Sequence, residues 1–348
     1  MSAHTAAGTT LPARSLRVTR WTTSARLSTG GLAVVPVLLA AVPFLRNATA
    51  VQQLTSLLIL VTLAVTWNAL AGYGGLVSVG QQAFIGLGAY ATIVLVQRGV
   101  PTFAAMALAV AVCAVLAVPL SFLVLRLRGG QFAIGTWVVA EAIALIVALD
   151  QTLGGGTGTS LGGLSGLDPV VRRAFVYWYA VAVAAAVVIG LFVLLRSSLG
   201  LALQAIRDDE GSAAALGVRV LRAKRVLYVF AAAGSAAAGT TILANTLFIQ
   251  PNSIFGVQWT AFMIFMVLVG GLGTFEGPLL GAVVFFLAQK MFADYGAWYL
   301  IGLGAAAIAF ALLLPRGLWG LLEDRLGRRL TPIGYWLVSR RQRGREAP

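Results

Sequence analysis

The chain is short of the residues most chemistry needs. Among 348 residues there is one cysteine and one histidine. Cys113 sits inside an apolar run with no second thiol, which excludes an internal disulfide framework and a thiolate metal site. His4 lies in a polar N-terminal stretch, leaving no basis for Ser-His catalysis or a histidine-ligated zinc. The only lysines are Lys224 and Lys290, and neither follows a GxxxxGK[ST] loop, so the chain has no visible means of hydrolysing ATP itself. No catalytic residue, metal ligand or cofactor site is expected.

Charge is scarce too. Charged residues make up 10% of the chain and hydrophobic ones 59%, with a mean hydropathy of +0.91. A soluble domain carries about 25% charged residues. What is present is a series of long apolar runs, the mark of a polytopic membrane protein, and a spanning segment closes its backbone hydrogen bonds within itself as a helix. The net charge of +14 does not indicate a nucleic-acid partner, because the arginines are spread through loops and tails between apolar runs. Retention of those loops on the cytoplasmic side accounts for them.

The expected fold is all-α, a polytopic transmembrane bundle of about ten spans: 30–45, 51–71, 76–97, 101–125, 131–149, 174–195, 226–247, 257–273, 278–293 and 297–314. Several are short or interrupted by glycine, notably 30–45, 76–97 and 278–293. With the N-terminus inside, twenty of the 25 basic residues fall on the inner side and five outside, as the positive-inside rule requires. Both termini are then cytoplasmic. Residues 1–29 form a basic tail read as a disordered extension, 30–314 the membrane domain, and 315–348 a second basic tail. That second tail carries Trp319, Tyr335 and Trp336, and reads equally as a solvated segment or one lying on anionic lipid. The longest external loop is 150–173; its glycines permit positive-φ backbone, and Tyr177, Trp178 and Tyr179 follow as interface aromatics.

Few residues stand out inside the apolar runs. Glu141 lies mid-span, where a charged side chain costs about 2.5–3.5 kcal/mol on insertion scales. It must face protein or water, as a pathway or gate residue or as an anchor between helices. Glu276 lies in GGLGTFEGP, as a gate, a contact for a partner or a solvated loop carboxylate. Gln81 and Gln82, with Asn68 and Asn245 on other spans, are polar amides that pack helices by hydrogen bonding or line a polar path. Gly74-Gly75-Leu76-Val77-Ser78 is echoed by Gly270-Gly271-Leu272-Gly273-Thr274, both at junctions of apolar runs, and paired glycine breaks point to transport pathways.

The rest of the chain is arranged around one polar stretch, RSSLGLALQAIRDDEGSAAALGVRVLRAKR (196–225), which holds six basic residues and the acidic run Asp208, Asp209 and Glu210. Acidic residues suit a helix N-terminus and glycine its C′ position. A short helix from near Asp208 to Leu216, stopping at Gly217, is therefore expected, with an alanine face suited to a shallow groove on a soluble partner.

This stretch resembles the cytoplasmic loop of ABC-importer permeases of the branched-chain amino acid family, a variant of their Glu-Ala-Ala…Gly coupling motif. Other segments resemble the family in the same order: GYGGLVSVGQQAFIGLGAY (72–90), RLRGGQFAIGTWVVAEAI (126–143), GGTGTSLGGLSGL (155–167), GGLGTFEGPLLGA (270–282) and PRGLWG (315–320). The resemblance covers about 70 to 320. It implies that Arg207, Asp208, Asp209, Glu210, Ala213, Ala214 and Gly217 form the coupling helix docking on ABC ATPase subunits. It also places Glu141 on the family's recurring helix glutamate. Two departures stand: Gly211 and Ser212 intervene between Glu210 and the alanines, and the external loop lacks the asparagine that often follows its glycines. The resemblance further implies a second homologous permease subunit, an extracytoplasmic substrate-binding protein, surrounding membrane lipid, and ATP used only by the partner subunit.

The sequence therefore reads as a multi-pass permease of the bacterial plasma membrane, importing branched-chain or related amino acids and carrying out no bond chemistry. The same machine moving urea, short amides or another small polar solute is the nearest alternative. An ion-coupled secondary carrier is remote, since such carriers line their path with ionisable residues and only Glu141 lies deep.

Overall fold

A computed structural model describes residues 16–19, 23–164, 166–292, 295–314, 316–326 and 336–339. Fifteen helices follow one another among them: α1 Thr23–Ala40, α2 Val42–Leu45, α3 Ala48–Asn68, α4 Gln82–Gln97, α5 Thr102–Val124, α6 Gly130–Leu149, α7 Pro169–Arg196, α8 Ser198–Asp208, α9 Glu210–Ala215, α10 Val220–Thr246, α11 Pro251–Ile254, α12 Gln258–Gly270, α13 Gly277–Phe292, α14 Ala297–Leu313 and α15 Gly317–Leu326. The starts follow local chemistry. Asn47 caps α3 by accepting from the Ala50 N–H at 3.1 Å. Asp168 caps α7 by accepting from the Val170 and Val171 N–H groups at 2.8 and 3.3 Å, with Pro169 at the first helical position, where no donor is needed.

The all-α bundle is as expected, but ten spans are not confirmed. Six helical segments are long and apolar enough to cross a membrane: α3 with its π-helical continuation to Tyr73, α5, α6, α7, α10, and α11–α12 together; a seventh is added if α14 and α15, bent by 43°, form one span. The difference lies in the backbone. The run 76–97 holds a helix only from Gln82, because residues 75–80 leave the helix after the π turn Ala69–Tyr73. The run 30–45 breaks between α1 and α2, and 278–293 yields the 16-residue α13. Apolar composition reports that a segment is buried from water. It does not report whether the segment is one straight helix.

α10 runs through the middle, packed against α3, α4, α5 and α7. Its sequence AAAGSAAAGTT is why: a Cβ at Gly239 would overlap the Ile85 carbonyl, and one at Gly88 of α4 would overlap the Ala236 carbonyl. Small residues let backbones approach. α7 carries α1: the Tyr177 hydroxyl donates to the Leu39 carbonyl at 3.0 Å and the Trp178 N–H to that of Ala40 at 2.9 Å, so these aromatics anchor chain to chain.

The loop 150–173 is laced to the α10–α11 connection. Thr159–Ser160 pairs antiparallel with Phe248–Ile249, and the Leu161 N–H donates to the Leu247 carbonyl at 2.8 Å. The two tails also meet: Leu16–Thr19 pairs antiparallel with Trp336–Ser339. Other tail residues, including Arg14, Arg20, Arg340 and Tyr335, lie outside the described residues. α7 has 28 residues, so at ~1.5 Å rise per residue the loop before it and α8 after it are about 42 Å apart.

Candidate functional site

The polar stretch folds as two helices. Expectation was one helix from near Asp208. Instead α8 runs to Asp208, the chain turns extended at Asp209 (φ −156°, ψ 112°), and α9 starts at Glu210. α8 buries Gly200, Leu203 and Ile206 along one side. The Asp209 side chain accepts from the Ser212 N–H at 3.0 Å and caps α9. Hydrogen bonds from the Ser212 N–H first, then that of Gly211, hold its carboxyl below the ordinary value of 3.8. α9 stops at Gly217 in a Schellman arrangement: Val218 N–H donates to the Ala213 carbonyl at 3.1 Å and Gly217 N–H to that of Ala214 at 3.0 Å. Gly217 has φ +86° and open space where a Cβ would stand, so backbone conformation alone selects glycine there.

The residues singled out in this stretch divide into inward and outward groups. Ala213 is buried, with 2% exposure, in the same apolar cluster as Leu203, Ile206 and Leu227. It is a packing residue and presents nothing to a partner. Glu210 is bound to Lys224 at the start of α10, Nζ to Oε2 2.7 Å. Arg207 donates to the Gly72 carbonyl at 2.9 Å and pairs with Asp208 at 3.3 Å. The outward surface is Ala214, Ala215 and Leu216, beside Asp208, Asp209, Arg219, Leu221 and Arg222. Leu216 is 84% exposed. Sequence reasoning passed over it; a leucine next to the C′ glycine of a polar loop was the available signal.

Behind this surface the two glycine breaks meet. A Cβ at Gly72 would lie 2.6 Å from Gly273 N. Asn68 spans the contact with both ends of its amide, donating to the Thr274 carbonyl at 2.9 Å and accepting from the Gly273 N–H at 2.9 Å. Gly317 of PRGLWG packs on the Gly270–Gly271 backbone. Segments some 200 residues apart in sequence, |i−j| being 205 for the Asn68–Gly273 bond, thus form one knot, and Arg207 ties α8 to it.

The four candidate pathway residues do not form a single cluster. Gln81 and Gln82 are buried at the start of α4; Gln81 accepts from the Ser235 hydroxyl of α10 at 2.7 Å and Gln82 from the Thr260 hydroxyl of α12 at 2.6 Å. Their Nε2 groups, and the Tyr73 and Tyr90 hydroxyls, are buried without a hydrogen-bond partner among the described residues. Glu276 is half-buried and lines an apolar cavity of about 380 Å³ with Val35, Leu58, Tyr177 and Phe275. Glu141 points away from the interior: it is exposed on α6, its Oε1 accepting from the Trp137 N–H at 3.0 Å. Among the described residues there is no cluster of His, Cys, Asp or Glu fit for a metal.

Residues 49–318 match the family model described as branched-chain amino acid transport system, permease component. That range contains both glycine breaks, the α8–α9 surface, Glu141 and Gln81–Gln82. The chain is 29% identical over 321 residues to the high-affinity branched-chain amino acid transport system permease protein LivM of Salmonella typhimurium, covering 83% of this chain and 74% of that protein. It is 28% identical over 326 residues to the LivM of Escherichia coli, covering 85% and 76%. A probable branched-chain amino acid transport permease LivM of Methanocaldococcus jannaschii is 26% identical over 172 residues, covering 49% and 50%. No solved structure matches. The chain, a multi-pass protein of the bacterial plasma membrane, belongs to the family of permease components of branched-chain amino acid transport systems.

Proposed function

We propose that this chain is one membrane-spanning subunit of an ABC importer that moves branched-chain or related amino acids into the cytoplasm. Separate ATPase subunits power it and an extracytoplasmic binding protein feeds it. The observation that carries the reading is the build of α9: a six-residue helix capped at both ends, pinned to α10 by Glu210–Lys224, with an almost wholly exposed leucine at its tip. An isolated helix this short does not hold in water, and an exposed leucine on a rigid mount suits an apolar pocket on a soluble partner. Movement imposed there reaches the membrane through Arg207 and the paired glycine breaks. The Gln81–Gln82 region, with its buried unpaired amides and hydroxyls, is the polar place along the bundle interior past which cargo moves. The permease itself hydrolyses no ATP and uses no cofactor.

The test is reconstitution with the ATPases, second permease and binding proteins encoded by neighbouring genes. Leucine-loaded binding protein is expected to stimulate ATP hydrolysis in liposomes. Leu216→Asp should remove that stimulation, with the subunits still assembled or weakened together. Transport that follows an ion gradient without any associated ATPase would overturn the proposal. Stimulation by urea or a short amide in place of leucine would keep the machine and change its cargo.

A further inference from the structure

α4 begins inside the bundle. Its 16 residues make about 24 Å at ~1.5 Å rise per residue, less than the ~30 Å of a hydrocarbon core. Its last turn reaches the loop 150–173, where a Cβ at Gly163 would meet Val96 and the Thr102 hydroxyl. Its first turn lies against the middle of α10, through Gln81 and Ser235, and against α12, through Gln82 and Thr260. The chain just before it, 75–80, is not helical, and Gly80 packs on the Thr136 carbonyl of α6. A helix that starts at this depth brings the positive end of its dipole into a medium of low dielectric. Gln81, at the cap position, makes no side-chain capping bond.

Two more donors stand at the same place. Gln81 and Gln82 are 1% and 0% exposed. Each has its amide oxygen taken by a hydroxyl, at 2.7 and 2.6 Å. Each is left with an Nε2 that meets no acceptor among the described residues. Holding the oxygens holds the NH2 ends too, and a buried donor without an acceptor is costly. One turn further, α4 becomes apolar: a Cβ at Gly86 would overlap the Phe255 ring, on which Tyr90 stacks at 5.9 Å.

We propose that the start of α4 binds the carboxylate of the transported solute, through the Gln81 and Gln82 NH2 groups and the helix N-terminus, with the solute's apolar side chain directed along α4 toward Gly86 and Phe255. Donors and a positive dipole end select an anionic group, as the ends of broken membrane helices do. An apolar α-amino acid fits, because its own ammonium makes it neutral overall and lowers the cost of burial. Urea and short amides offer these donors an uncharged carbonyl and gain less from the dipole. Both glutamines are shut from solvent, so access requires α4 to part from α10 or α12. The proposal deepens the reading of this chain as an amino-acid permease and rests on it, and its test does not depend on ATP hydrolysis.

The full chain is purified in detergent with the membrane and ATPase subunits encoded beside it, without binding protein. Its unfolding temperature is followed by tryptophan fluorescence against rising leucine or leucinamide. Leucinamide keeps the side chain and the amine and replaces the carboxylate. Leucine is expected to raise the unfolding temperature saturably, and leucinamide to need at least about tenfold more for half the effect. Gln81→Glu and Gln82→Glu each keep an acceptor for Ser235 or Thr260 and set a carboxylate where the NH2 stood. Each should raise the half-effect concentration of leucine by about tenfold or more, one charge-assisted hydrogen bond being lost and a like charge gained. A merely structural glutamine would lower the starting unfolding temperature in these variants and leave the half-effect concentration unchanged, which would overturn the proposal. Leucinamide acting as well as leucine, or leucine without effect, would overturn it in the wild type, whether or not the variants fold. Gln97→Glu, the same change at the exposed far end of α4, should alter neither quantity. Leucine preferred over leucinamide in a protein that transports on an ion gradient would overturn the ABC reading and leave the carboxylate site standing.

Discussion

α10 and α6 are both apolar helices of membrane length, and their surroundings differ sharply. In α10 78% of the most apolar stretch is buried by the chain itself; in α6 the figure is 22%. The compositions match. α10 carries the run AAAGSAAAGTT, small residues that allow backbones close together. α6 presents isoleucine, valine and leucine outward, with one glutamate among them. α10 is also wired to the polar surface, through Lys224 to Glu210. α6 has no ion pair among the described residues. Apolarity therefore places both helices in the membrane, and side-chain size separates the helix that forms the core from the one that stays at its surface among the described residues.

The sharpest way to break this comparison is to add bulk to each helix. Gly239→Leu should cost about 3 kcal/mol or more, the upper end for overpacking a filled site, because its Cβ already meets the Ile85 backbone. Ala142→Leu, on the exposed stripe of α6, should stay within about 0.5 kcal/mol for the isolated chain. Thermal unfolding in detergent by tryptophan fluorescence separates the two; equal shifts would mean that α6 is as enclosed as α10. Next comes Asn68→Ala, which strands the Gly273 N–H and the Thr274 carbonyl and should cost about 2 kcal/mol. Asn68→Asp should do no better, since the lost donor leaves Thr274 unpaired.

Much of this was legible in the sequence, and what was not has physical causes. The apolar runs, the polar loop and the glycine stop at 217 follow from transfer energies and backbone sterics, which are local. The echo of the two glycine breaks was visible as a pattern; that they touch depends on Asn68 reaching Thr274 across the fold. Arg207 read as one of the residues docking on an ATPase subunit, since nothing within its own segment indicates the Gly72 carbonyl it bonds. Ala213 and Leu216 show the limit at the surface: alanine spacing suggested an outward face, but at α9 the turn of a six-residue helix decides which residue is out, and Leu216 is. For Glu141 the reading was a side chain facing protein or water; in the structure it is exposed on α6, with Trp137 its hydrogen-bond partner among the described residues.

A smaller effect tests how firmly α9 is mounted on the buried helix. Gly217 holds φ +86°, a conformation costing a residue with a Cβ about 1 kcal/mol. Gly217→Ala should loosen the last turn of α9 by that amount, read as faster amide exchange at Ala214 to Val218. Exchange within α6 should not change. Gly217→Asn, which tolerates the left-handed region better, should lie between the two.

The smallest effect concerns pH. The hydrogen bonds from Ser212 and Gly211 hold the Asp209 carboxyl below its ordinary value of 3.8. A carboxylate depressed in the folded state binds fewer protons there than when unfolded. Its contribution is complete above the ordinary value and is lost as pH falls through the depressed one. Amide exchange at Ser212 and Ala213, corrected for the intrinsic pH dependence, should therefore accelerate only under acid conditions. Asp209→Asn keeps an acceptor for the Ser212 N–H but removes the titration, so its exchange should be flat across the same range. If wild type and Asp209→Asn loosen together in acid, the cap at Asp209 is not what holds α9 in place.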